Sequence, residues 1–144
     1  MLASDGRQNY SPRAVAQAAA LGGPGPVAVV TIAKIHGTSF GLPHPGLLPT
    51  KAELAERQHW VEDAIRGLRA AGSSGDGQVA ATRRTAKKLA AVARARGVRV
   101  IVIDETTVPK GLRRIIEGDV GAELRRKLRK DGIRVEVIPA DGKG

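Results

Sequence analysis

The sequence predicts an α/β fold: one five-stranded parallel sheet sandwiched by about four helices, in a single domain over residues 1–144. Two observations carry this. Short apolar runs alternate along the whole chain with longer stretches of helical period, the order expected when each strand crosses over through a helix to a parallel neighbour. The run Val27-Ala28-Val29-Val30 is apolar without alternation, as in a central strand buried on both faces. A chain of 144 residues is the size of one ordinary domain, able to bury roughly two-thirds of its unfolded surface.

Each element has a local reason. Residues 1–4 form a first strand, short enough to expect a few residues before Met1. Ser11-Pro12 reads as an N-cap with proline at the first helical position, opening an Ala-rich helix to about Leu21 that stops at Gly22-Gly23. Residues 26–34 are the second strand. Residues 36–49 hold three prolines and three glycines, too many breakers for a helix or an interior strand. Thr50-Lys51-Ala52-Glu53 is a capping box that starts a helix to about Ala71, with Leu54, Trp60, Val61, Ala64, Ile65 and Leu68 on one face. Residues 73–77 read as a turn and 78–82 as a short strand. A basic helix from about Arg84 to Arg96 turns Leu89, Val92 and Ala93 inward and ends at Gly97. Residues 98–103 are a strand. Val120, Leu124 and Leu128 recur at four-residue spacing in a helix to about Lys130, and Asp131-Gly132 turns into the last strand, residues 133–138. Residues 140–144 read as a flexible tail.

Composition excludes whole classes of chemistry. With no cysteine, thiol catalysis, thiolate zinc sites and disulfides are impossible. The longest apolar stretch, residues 27–33, is interrupted by Thr31 and falls far short of the roughly 20 residues of a membrane helix. The amino-terminal residues lack the basic-then-apolar order of a signal peptide, so a cytoplasmic protein is expected. Of the apolar residues 22 are alanine, and only Tyr10, Phe40 and Trp60 are aromatic, which argues against stacking single-stranded nucleic acid.

The net charge of +10 leaves a duplex or phosphate binder open. Residues 1–80 carry seven basic and six acidic side chains, and residues 81–144 carry 17 and eight. Arg83, Arg84, Lys87, Lys88, Arg94 and Arg96 follow one helix; Arg125, Arg126, Lys127, Arg129 and Lys130 follow another, where they alternate with the apolar positions as a solvated face would. Weak, salt-sensitive attraction to nucleic acid or other polyanions through these helices is expected from charge alone.

In open parallel sheets ligands bind beyond the carboxyl ends of the strands, where the strand order reverses. The candidates are Ser4-Asp5-Gly6, Lys34-Ile35-His36 and the segment after Ile103. In that segment an apolar strand leads into Gly111-Leu112-Arg113-Arg114 and then Gly118-Asp119-Val120, and Arg134-Val135-Glu136-Val137-Ile138-Pro139 closes the sheet. This resembles the carboxyl-terminal half of a universal stress protein domain. Leu2-Ala3-Ser4-Asp5-Gly6 followed by Ser11 and an Ala-rich helix is similar to the same family's first strand and helix, and Ala33 to Gly41 with Pro49-Thr50-Lys51 looks like its actinobacterial members. The resemblance implies a Rossmann-like sheet of the adenine nucleotide alpha-hydrolase type.

For nucleotide-binding members the resemblance implies Gly-x2-Gly-x9-Gly-Ser/Thr, in which bare glycine amides and a helix amino end hold phosphates. Anchored on Gly111-Leu112 and Gly118, this pattern puts Glu105 and Val108 on the first two glycines and Asp119 on the Ser/Thr, so only Gly118 matches. Two carboxylates would face the polyphosphate, and a β-branched residue would stand where close backbone approach is expected. By resemblance the nucleotide positions are Asp5, Ile32, Asp104, Glu105, Val108, Gly118, Asp119 and Val120. Asp5 reads as well as a turn residue, and Asp119 as a helix cap. His36, His44 and His59 lack metal-ligand spacing, and no catalytic set emerges.

The resulting expectation is a stress-response or regulatory domain that acts by binding, without turnover, with no cofactor, and with ATP or AMP the lesser alternative. Lys110, Arg113 or Arg114 would hold phosphate if the crevice takes a nucleotide by other contacts; a basic nucleic-acid-binding protein is the other alternative. The resemblance also implies a homodimer through the last strand, Arg134, Val135, Glu136 and Val137. Antiparallel pairing about Val135 would set Arg134 opposite Glu136 of the second copy, twice by symmetry.

Overall fold

A computed structural model describes residues 1–35, 48–105 and 119–139. Nine elements alternate along it: β1 (Leu2–Ser4), α1 (Pro12–Gly22), β2 (Pro26–Lys34), α2 (Lys51–Ala70), β3 (Ser74–Thr82), α3 (Thr85–Arg96), β4 (Val100–Asp104), α4 (Val120–Leu128) and β5 (Arg134–Ile138). The five strands form one parallel sheet in the order β3-β2-β1-β4-β5. The expected fold class is therefore the observed one. The chain starts at the centre, walks outward to β3, returns to β4 beside β1 and ends at the other edge, so the order reverses between β1 and β4.

That reversal puts the helices on opposite faces. Ala14, Ala18 and Ala19 of α1 and Val61, Ala64 and Leu68 of α2 pack with Leu2, Val29 and Val102. On the other face Leu89, Ala90 and Ala93 of α3 and Val120, Leu124 and Leu128 of α4 pack with Val30, Ile32, Ile101 and Ile103. Residues adjacent along β2 and β4 thus serve different cores, which is why both runs are apolar without alternation. Alanine on α1 and α3 lets those helices sit close to the sheet in a chain with few aromatics.

Local signals held at the caps. Ser11 Oγ accepts the Ala14 N–H with Pro12 in the first turn, and Thr50 and Glu53 exchange both capping-box bonds at 3.1 Å. Gly97 and Gly132 end their helical segments at positive φ. By contrast, α3 opens at Arg84 without a side-chain cap.

Several boundaries differ from expectation. The turn expected at 73–77 is instead the first half of β3, paired in unbroken register with β2 from Pro26↔Ser74 to Lys34↔Thr82. Gly75 and Gly77 are there because α2 crosses directly above them: a Cβ on Gly77 would run into Val61 Cγ1, and one on Gly75 would stand 3.0 Å from Ile65 and Leu68. Leu54, expected on the inner face of α2, is 39% exposed, and the buried positions of that helix begin only at Val61. Val98, expected in β4, closes α3 with its N–H on the Ala93 carbonyl at 3.2 Å, and β4 starts at Val100. Helix α4 stops at Leu128 and continues as a 3-10 turn, Arg129–Asp131. No helix among the described residues is long and apolar enough to cross a membrane. The tail at 140–144 lies outside the described residues.

Candidate functional site

The crevice at the reversal is built from the end of β1, the loop that follows it and the end of β4. Ser4 and Asp5 are buried, at 5% and 6% exposure. Ser4 Oγ accepts the Gly6 N–H at 3.1 Å and donates to the Gln8 carbonyl at 3.0 Å, while Asp5 Oδ1 accepts the Arg7 N–H at 3.0 Å. These are the short side-chain-to-backbone bonds of a tight polar turn. Gly6 has φ of +87° and packs so closely on the Ile32 carbonyl that a Cβ would collide with it.

The same loop crosses to β4. Gln8 Nε2 donates to the Glu105 carbonyl at 3.2 Å. Ser11 donates its amide to Asp104 Oδ2 at 2.9 Å and its hydroxyl to Asp104 Oδ1 at 2.5 Å, keeping its oxygen as acceptor for Ala14. The half-buried Asp104 carboxylate thus sits at the amino end of α1, where the helix dipole and free amides favour a negative group. An internal side chain occupies the amino end of α1.

Just beneath lies Tyr10, whose hydroxyl is 2.6 Å from Thr31 Oγ1. Thr31 is fully buried and is the residue that interrupts the apolar run of β2. Burial pushes the Tyr10 pKa well above its ordinary value near 10, with the nearby Asp104 charge adding to the rise and the Thr31 hydrogen bond opposing it.

The positions implied by resemblance divide accordingly. Asp5, Asp104 and Glu105 come together at the crevice, Asp104 as a half-buried acceptor and Glu105 exposed. Ile32 directs its side chain into the α3–α4 core, and Val120 packs in that core too. Asp119 caps α4, its Oδ1 accepting the Ala122 N–H at 3.1 Å. Val108 and Gly118, with Lys110, Arg113, Arg114, His36 and His44, lie outside the described residues. Trp60 sits on α2 under the Arg57 guanidinium, 4.6 Å from the ring centre, and Tyr10 is buried, so neither offers a stacking surface at the crevice. His59 is 3.5 Å from Asp63 on exposed α2. Among the described residues no three of His, Asp and Glu converge on a common point. The Ser11 to Asp104 link was not legible in the sequence; the one local signal was Ser11 itself, recognised as a cap.

No family model and no curated protein matches the chain. Solved structures do. The universal stress protein from Archaeoglobus fulgidus is 18% identical, with a TM-score of 0.62 over 96% of this chain and 90% of that one. A universal stress protein family structure from Burkholderia pseudomallei is 21% identical, with a TM-score of 0.60 over 96% of each chain. The chain has the universal stress protein fold. A further universal stress protein structure, in complex with cAMP, is 15% identical with a TM-score of 0.60 over 99% of this chain and 96% of that one, and the Archaeoglobus protein has also been solved with dAMP. Within the universal stress protein fold, this chain places Asp5 just after β1 and Asp104 at the end of β4, beside the point where the strand order reverses.

Both edges of the universal stress protein sheet are also defined. β5 is the outer strand beside β4. Arg134 Nη2 lies 2.7 Å from Glu136 Oε2 in the same chain, and Gln17 Nε2 donates to Glu136 Oε1 at 2.9 Å, so the two charges expected to pair between copies already pair within one.

Proposed function

We propose that this chain is a cytoplasmic, universal-stress-protein-like regulatory domain of the stress response, which works by binding, without catalysis, and does not take ATP in the usual way. The observation that carries the reading is the bond of Asp104 to Ser11. With Asp104 on the first turn of α1 and Asp119 on that of α4, two helix amino ends at this side of the sheet are satisfied by internal carboxylates. A triphosphate would have to displace them or lie against like charge. The fold-level likeness to proteins solved with dAMP and cAMP supports the crevice as the place where any ligand is held. Calorimetry with ATP, ADP and AMP tests this: millimolar or weaker binding is expected, and micromolar affinity for ATP would overturn it.

We also propose a homodimer through β5, with Arg134, Val135, Glu136 and Val137 at the contact. An exposed parallel edge favours pairing with a second copy, and antiparallel pairing about Val135 would turn the intrachain Arg134 to Glu136 contact into a four-charge cluster across the axis. Light scattering at micromolar concentration is expected to give twice the chain mass.

A further inference from the structure

A second cleft lies at the carboxyl end of the sheet, away from β1 and β4, where β2 and β3 end and α3 begins. It encloses about 630 Å³, and its lining includes Ile35, Thr82, Arg83, Arg84, Lys87 and Lys88. The corner is fixed: Ile35 donates its N–H to the Thr82 carbonyl at 2.8 Å, Lys34 Nζ donates to the Arg83 carbonyl at 2.9 Å, and Thr82 Oγ1 accepts the Arg84 N–H at 3.1 Å. No lining residue is acidic.

Several other basic residues of α3 and α4 are engaged. Arg94 pairs with Asp131 and donates to the Lys127 carbonyl, Arg96 pairs with Asp76, Lys127 with Glu123, and Arg125 donates to the Val135 carbonyl. Among the described residues Arg83, Arg84, Lys87 and Lys88 form no ion pair. Four cations concentrated without a counter-charge repel one another, and an anion between them relieves that repulsion.

We propose that this cleft binds a compact, multiply phosphorylated small molecule. Its volume is that of a small-ligand site. Arg83 and Arg84 come from the residues just before α3 and Lys87 and Lys88 from its first turn, so the cleft is lined by two pairs of cations on adjoining segments, which suits two linked phosphoryl groups better than one. An extended nucleic acid fits less well. The unpaired charge stops after Lys88, where Arg94 and Arg96 are committed to Asp131 and Asp76, so no continuous basic stripe follows α3. No aromatic side chain lines the cleft for a base to stack on. The site shares no residue with the crevice between β1 and β4, and the inference stands whether or not that crevice takes a nucleotide.

The test uses inorganic pyrophosphate and the whole chain, by calorimetry at about 100 mM salt, where bulk attraction is largely screened. Saturable binding is expected, weakened at least about tenfold in both Arg83→Gln/Arg84→Gln and Lys87→Gln/Lys88→Gln. Arg129→Gln/Lys130→Gln removes the same formal charge elsewhere and is expected to leave affinity unchanged. Circular dichroism checks that each variant folds, and the two cleft variants back each other up. Absence of saturable binding would overturn the proposal, as would equal losses in all three variants, which would mean bulk charge only. Retention of a duplex at about 200 mM salt in preference to pyrophosphate would overturn it in favour of nucleic acid.

Discussion

Ser11 and Asp104, 93 positions apart, are joined by two hydrogen bonds, amide to Oδ2 at 2.9 Å and hydroxyl to Oδ1 at 2.5 Å. The pair fastens the start of α1 to the carboxyl end of β4, across the point where the sheet reverses.

Replacing Ser11 with Ala removes a cap and one partner of Asp104, and should cost about 1–2 kcal/mol. Asp104→Asn should cost a similar amount. The double variant should be less destabilised than the sum, because the two changes break one interaction, with a coupling energy of roughly 1 kcal/mol in a denaturant-unfolding cycle. Strict additivity would mean that the contact contributes nothing to stability.

Tyr10 is the only tyrosine, so its titration can be followed directly by phenolate absorbance. Burial raises its folded pKa above 10, so the native protein should show no phenolate signal through pH 10 and then gain it with unfolding. The sign follows from linkage. The neutral phenol's stabilisation is fully present below the unfolded pKa near 10 and is lost as pH rises beyond it. Tyr10→Phe should cost about 1–3 kcal/mol, because the Thr31 hydroxyl, buried completely, loses its partner.

Gly77→Ala should destabilise by about 1–3 kcal/mol, since the added Cβ meets Val61 and forces α2 away from β3. Gly97→Ala makes an instructive comparison, since nothing stands within 4 Å of its Cβ position and the penalty is that of positive φ alone, about 1 kcal/mol. Midpoints of urea unfolding at constant slope separate the two.

Glu136→Arg should push a β5-mediated dimer toward monomer by setting like charges opposite each other twice, a loss of about tenfold or more in association. Arg134→Glu combined with Glu136→Arg should restore it. Sedimentation or light scattering across a dilution series reads both. A wild-type monomer throughout would remove the dimer, leaving the crevice reading untouched.

The sequence by itself determined the elements and their kind. Capping at Ser11, Thr50 and Asp119 is local chemistry within four residues, and the apolar runs of β2 and β4 carry the mark of burial on both faces, so helix starts, central strands and fold class could be read from order and period alone. Only the tertiary structure decided what distant residues do to one another. Gly75 and Gly77 look like turn residues until α2 is laid over them, and Leu54 keeps helical period although the buried part of α2 begins only at Val61. Asp104 could be assigned to the crevice by resemblance, but its partner Ser11 could not, because nothing in the chain records that β4 returns beside β1. Likewise Arg83 to Lys88 read as part of a uniform basic helix. Ion pairing with Asp131 and Asp76, both distant in sequence, is what neutralises the far end of α3 and leaves four charges together at its start.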